Sequence, residues 1–182
     1  RDRSPSRGLG DVYKRQLKTS LYPYTPHVDL LEHSRLLLLD NIEDPHNVGA
    51  VLRSAEVFGF RGVCLPSKGV PEVYPSVVKV SAGATEFMQI ARDGSANQYA
   101  RAAAEAGYQI AALDMKGNTT LDAVQAAAPD KLLLVIGGED KSVGQFILNM
   151  ADYIIGIRQF GRVNSLNASV AAGIAMHALG GD

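Results

Sequence analysis

The sequence predicts an α/β fold in which a mostly parallel sheet is covered by helices on both faces. Three observations carry this expectation. From Arg35 onward, short apolar runs alternate with segments of helical period. The runs are continuous rather than alternating, as strands covered on both faces are. Polar, Gly-containing segments ("DNIEDPHNVG", "GGEDKSVG" and "RQFGRVNSLN") follow three of the runs, where such sheets place ligands beyond the carboxyl ends of their strands.

Taken in order, "RLLLLDNI" (35–42) reads as a buried strand and "NVGAVLRSAEVFGF" (47–60) as a helix. In that helix Val48, Val51, Leu52, Ala55 and Phe58 recur at helical spacing and form one apolar stripe. "GVCLPS" is a second strand, "YPSVVKVSAGATEF" a second helix and "MQIAR" a short strand. "SANQYARAAAEAG" is an alanine-rich helix that stops at Gly107, a residue suited to the position after a helix end. The strand "YQIAALDM", a linker or short helix at 121–128 and the strand "KLLLVIGG" (131–138) follow. "VGQFILNMA" is a helix, "DYIIGIR" a strand and "SLNASVAAGIAMHAL" the closing helix.

A length of 182 residues suits one domain with a sizeable core. No run approaches the ~18 apolar residues of a membrane span. Cys64 is the only cysteine, which excludes an internal disulfide and a Cys-rich zinc site. Its apolar setting, "GVCLP", predicts a buried inert thiol. No secretory signal is visible, and the chain is read as cytoplasmic.

The first sixteen residues, "RDRSPSRGLGDVYKRQ", differ from the rest: five basic and two acidic side chains with no apolar periodicity. Without them 13 Lys and Arg face 17 Asp and Glu, and the net charge moves from −1 to −4. The string looks like a translated sequencing adapter, so residues 1–16 are set aside as an artefact and the natural chain is expected to continue upstream of Gln16. Residues 17–34 read as a linker, or the remnant of a missing N-terminal domain, and 35–182 as one α/β domain.

Several chemistries fail on spacing. "IGGEDKSVG" lacks the glycine pattern of a phosphate-binding Walker loop, and no G-x-G-x-x-G opens a helix after the first strand. His27, His33, His46 and His177 lack metal-ligand spacing, so no metal is expected. Ser165 has no nucleophile elbow around it.

Together, "NIEDPHNVGAVLRSAEVFGF", "LLLVIGGEDKSVG" and "IIGIRQFGRVNSLNASVAAGIAMHAL" resemble the three ordered motifs of the SpoU (TrmH) family of RNA 2′-O-ribose methyltransferases, in the SPOUT superfamily. "DPHNVGAVLRSAE" and "KVSAGATE" look most like the branch that methylates a guanosine of large-subunit (23S) ribosomal RNA. The resemblance implies methyl transfer from S-adenosylmethionine to a ribose 2′-hydroxyl. It also implies a C-terminal deep trefoil knot, an exception to the rule that chains are unknotted, and a homodimer. The partner implied is RNA: ribosomal RNA first, transfer RNA as the alternative. A catalytically silent relative that binds RNA or assists ribosome assembly is the second alternative.

Carried over by position, the motif residues fall on Asn47, Arg53, Glu139, Ser165 and Asn167, and the cofactor contacts on Gly137, Ile157 and Leu166. Ser165 and Asn167 would supply polar contacts at the reaction centre; their plain alternative is helix capping. Arg53 lies roughly opposite the apolar stripe of its helix. A guanidinium is a poor general base, so its expected work is electrostatic: holding phosphate and stabilising a developing alkoxide. Glu139 would orient Arg53 or a cofactor-side group, unless it merely complements a helix N-terminus. Asn47 would position the Arg53 segment or cap its helix. Asp44-Pro45 shapes the turn, and His46 is read as a surface residue. The small residues Ala168, Ala171, Ala172, Gly173 and Ala175 would let the last helix pack closely. Two departures from the family pattern stand out: Arg158-Gln159 where Pro-Met is common, and Asp140 where glycine often follows the motif glutamate.

Overall fold

The four leucines at 36–39 cannot all face one side of a strand, because side chains alternate along it. All four are essentially inaccessible, so both faces of their sheet are covered. The computed structural model describes residues 22–139, 141–162 and 165–181; the stretch 1–16, Asp140 and Asn164 lie outside the described residues. The described elements are α1 (His27–Leu30), β1 (Arg35–Asp40), α2 (Pro45–Val57), β2 (Gly62–Cys64), α3 (Pro75–Val80), β3 (Gln89–Ala91), α4 (Ala96–Glu105), β4 (Gln109–Leu113), α5 (Leu121–Ala127), β5 (Leu132–Gly137), α6 (Gln145–Met150), β6 (Tyr153–Ile155) and α7 (Ala168–Leu179).

The strands form one parallel sheet in the order β3-β2-β1-β5-β4-β6. Leu37, Leu39, Leu134 and Ile136 face a core closed by α2, α3, α5 and α7. Leu36, Leu38, Leu133 and Val135 face a second core with α4 and α6. The chain runs outward from β1 through β2 to β3, then crosses to the other side of β1 for β5, β4 and β6. The reversal lies between β1 and β5, and a crevice is expected beyond their carboxyl ends. Their register, Leu36 against Leu133 through Asp40 against Gly137, brings the loops after both strands side by side.

Several boundaries differ from the sequence reading: α2 runs Pro45–Val57 rather than 47–60, which leaves Phe58 just past its end, and three further differences have a local cause. The helix expected over 74–87 stops at Val80 and resumes as a 3₁₀ turn at Ala84–Glu86. Between them Ser81 Oγ donates to the Val78 carbonyl, and Ala82 and Gly83 adopt left-handed φ values of 54° and 81°, a conformation that ends helices. The strand expected over 152–158 ends at Ile155, where the β4–α5 loop takes over the pairing: Asp114 N–H donates to Ile155 O and Gly156 N–H to Thr119 O. The last helix begins at Ala168 rather than Ser165, because Asn167 has non-helical dihedrals and its side chain accepts from Ser169 N–H. Residues 121–128, read as a linker or short helix, form α5.

Within the segment read as a linker, residues 22–34 pack on the domain. Leu30 is fully buried, Tyr22 donates to Thr85 O, and Thr25 N–H donates to Ile90 O. His27 Nδ1 stands 2.9 Å from Asp93, whose carboxyl is lowered by that partner despite some desolvation. Burial, with the nearby Asp93 charge, pushes the Cys64 thiol up to about 12, in keeping with an inert side chain. No helix among the described residues is long and apolar enough to cross a membrane.

Candidate active site

Asp44 opens the first motif as the N-cap of α2, its Oδ1 accepting from His46 N–H at 2.9 Å, with Pro45 at the first helical position. Capping is thus done by Asp44, and Asn47 is left free for other work. Its Nδ2 donates to Glu139 Oε1 at 3.3 Å, and its Oδ1 accepts from Asn167 Nδ2 at 3.0 Å. Asn167 Nδ2 also donates to Glu139 Oε1 at 2.6 Å, and Ala168 N–H reaches the same oxygen at 3.3 Å. Asn167 Oδ1 is occupied by the N–H and hydroxyl of Ser169, which leaves only its amide nitrogen to face the carboxylate. One residue from each motif therefore meets at one carboxylate oxygen. Glu139 does complement a helix start, but that of α7 rather than the helix that follows it in sequence.

Glu139 forms part of a cleft beyond the carboxyl ends of β4, β5 and β6. Leu113, Ile136, Ile155, Ile157 and Leu166 supply apolar walls, and Asp114, Ser142, Gln159 and Ser165 the polar lining. Gly137, Ile157, Leu166, Glu139 and Ser165 thus come together in one cleft. A second cavity adjoins it, sharing Gly138, Glu139 and Ala168 and adding Asn47, Asn41 and Asp44.

Arg53 is the exception. It lies two turns beyond Asn47 on the exposed side of α2, lines neither cavity and makes no hydrogen bond or ion pair among the described residues. The expectation that Glu139 orients it is corrected: Glu139 holds Asn47, Asn167 and the start of α7 instead. The cause is helix geometry, since six residues advance the chain ~9 Å along the axis.

Sequence reasoning missed Asp40. It is only 7% exposed, at the carboxyl end of β1. Its Oδ2 accepts from Gly144 N–H at 2.8 Å and its Oδ1 from Asn41 Nδ2 at 3.0 Å, which ties the loop carrying Glu139 to the first strand. The available signal was an acidic residue ending an otherwise apolar strand. Burial raises the Asp40 carboxyl, and the Gly144 hydrogen bond partly opposes the rise. The folded chain then holds this proton to higher pH than the unfolded one. Its contribution to stability is greatest below the ordinary carboxyl range and is lost as pH rises through the raised folded value. Asp40→Asn should flatten that acidic stretch of the stability profile, as urea unfolding at a series of pH values would measure. Asp40→Ala leaves Gly144 N–H without an acceptor and should cost ~1–3 kcal/mol at pH 7.

The family model of the SpoU rRNA methylases matches residues 34–177. The chain belongs to this family. Among its relatives is an Archaeoglobus fulgidus protein named an uncharacterised tRNA/rRNA methyltransferase, 40% identical over 146 residues, which cover 80% of this chain and 64% of that one. A Mycolicibacterium smegmatis protein of similar name is 37% identical over 167 residues, covering 88% and 52%. The chain spans about half the length of such mycobacterial relatives. A solved structure from Porphyromonas gingivalis, assigned to the TrmH family of RNA methyltransferases, superposes with a TM-score of 0.71 at 28% identity, over 81% of this chain and 59% of that one. An AdoMet-bound rRNA methyltransferase from Sinorhizobium meliloti shares the fold, with a TM-score of 0.77 at 24% identity, over 86% and 60%. The parallel sheet with its covering helices is thus the fold of this family.

Proposed function

We propose that the chain methylates a ribose 2′-hydroxyl of RNA with S-adenosylmethionine, and that its substrate is a guanosine of large-subunit ribosomal RNA. The observation that carries the reading is the convergence of Asn47, Glu139 and Asn167, one from each motif, at Glu139, which lines both the cleft and its neighbouring cavity. The cleft fits the cofactor's chemistry: apolar walls suit an adenine, and Asp114 and Glu139 complement positive charge. When bound, the cofactor supplies an electrophilic methyl group on a cationic sulfur. Gly137, Ile157 and Leu166 would hold it and Ser165 would face the reacting hydroxyl, while Asn167, its side chain engaged by Asn47, Glu139 and Ser169, would position the site. A transfer-RNA acceptor is the alternative substrate.

Arg53 enters this reading through a homodimer and a knotted C-terminal segment. α2 and α7 pack together; α2 exposes Arg53 and, one turn on, Val57, and α7 exposes Val170 and Ile174. A second protomer on that face buries the three apolar side chains and brings Arg53 of one protomer toward the cleft of the other. There the guanidinium holds a substrate phosphate and stabilises the developing alkoxide, and a phosphate oxygen accepts the proton. Sedimentation at twice the chain mass is the expected result for the wild type.

The test is transfer from labelled S-adenosylmethionine to unmodified ribosomal RNA, with the product mapped by resistance to alkaline cleavage. One resistant nucleotide, lost in Arg53→Ala and Ser165→Ala, is the expected outcome. A folded dimer that neither binds the cofactor nor transfers a methyl group overturns the reading.

A further inference from the structure

The segment after β6 carries chemistry that the methyl-transfer reading does not use. From residue 156 to 162 the chain has no regular secondary structure. Ile157 and Gln159 line the cleft, and the chain from Arg158 to Arg162 is exposed. Phe160 is 95% exposed, more than any other large apolar side chain among the described residues. A single exposed apolar side chain is ordinary. An almost fully exposed phenyl ring at the rim of a cleft, with an arginine two positions away on each side, is a specific chemical arrangement. Neither arginine is in an ion pair among the described residues.

We propose that Phe160 is a stacking platform for an unpaired base of the RNA substrate, with Arg158 and Arg162 contacting the phosphates on either side of that base. The inference rests on the RNA-methylation reading of the adjoining cleft. Any acceptor ribose must be brought to the cleft mouth, and the residues that form the wall at 157 and 159 present this triad beside it. An aromatic face is sequence-tolerant, because every base has a π-face, and guanidinium groups supply the charge that a strand requires. Residues 17–182 carry a net charge of −4, so phosphate attraction must be local rather than general. A second copy of the chain is a poorer occupant: a two-fold contact at Phe160 would bring four guanidinium groups together.

The protein contains no tryptophan, which provides a local readout. Phe160→Trp places a single indole at the position, and its emission reports stacking there even if the basic stretch 1–16 holds RNA elsewhere. Titration with a single-stranded RNA of twelve mixed nucleotides should quench that emission saturably. In fluorescence anisotropy, Phe160→Ala should weaken binding of the same RNA about tenfold at fixed salt. The Arg158→Ala/Arg162→Ala pair should lower the salt slope by ~1.4 against wild type, for two single-strand phosphate contacts. S-adenosylmethionine affinity, measured separately by calorimetry, should stay within ~2-fold in Phe160→Ala. Loss of cofactor binding by the wild type would count against the methyltransferase reading, whereas intact cofactor binding without RNA quenching would overturn the stacking platform alone. Emission that changes with protein concentration in the absence of RNA would also overturn it, in favour of a contact between copies.

Discussion

Glu139→Ala is expected to lower the single-turnover rate of methyl transfer about 100-fold or more while the chain stays folded. One carboxylate oxygen accepts from Asn167 Nδ2, Asn47 Nδ2 and Ala168 N–H. Without it, the Asn167–Asn47 hydrogen bond still joins the first and third motifs, and the second motif loses its contacts at this point. A displacement of ~1 Å in a reacting centre costs on the order of 10² in rate. The stability loss should be far smaller than the loss of rate, because Glu139 is exposed and water can replace part of its bonding. Glu139→Gln retains one acceptor oxygen and should recover part of the rate. The comparison requires saturating cofactor, with affinity measured independently. Transfer by Glu139→Ala within ~3-fold of wild type would show that the convergence on this oxygen has no catalytic consequence.

Gly138→Ala should have the largest effect on stability. A methyl group on Gly138 would overlap the backbone carbonyl oxygen of Asn41, and Asn41 is already held at φ 56°. Neither atom belongs to a flexible side chain, so relief requires the loops after β1 and β5 to separate. Overpacking against backbone of this kind costs ~2–4 kcal/mol, or ~5–15 °C in Tm for a chain of this size. Gly138 lines both the cleft and its neighbouring cavity, so cofactor affinity should fall with stability. Gly83→Ala is the control. Gly83 has φ 81° but open space around it, and only backbone strain of ~1 kcal/mol is expected. If the two variants melt together, the close approach of the two loops does not govern stability.

The identity of the site residues was readable where a motif fixes type and spacing. Asn47, Glu139 and Asn167 stand far apart in sequence, yet they share one carboxylate oxygen. Asp40 escaped notice because a single acid ending a leucine run has no spacing partner; its role exists only when Gly144 N–H arrives from 104 residues away. The failed expectation that Glu139 orients Arg53 has a similar cause. Linear order puts Arg53 within the same motif as Asn47, whereas the rise of α2 separates them.

What the sequence by itself determined was local and periodic. Continuous apolar runs such as the leucines at 36–39 specify strands buried on both faces, and the spacing of Val48, Val51, Leu52 and Ala55 specifies the buried side of α2. Residue type also marked the small-residue packing of α7, where Ala172 and Ala175 are fully buried. Tertiary structure alone decided which strands became neighbours, where β6 yielded its pairing to the β4–α5 loop, and that Ser165 and Leu166 precede the last helix and line the cleft. Those outcomes depend on contacts between distant segments, and no local preference encodes the partner that each backbone group finds.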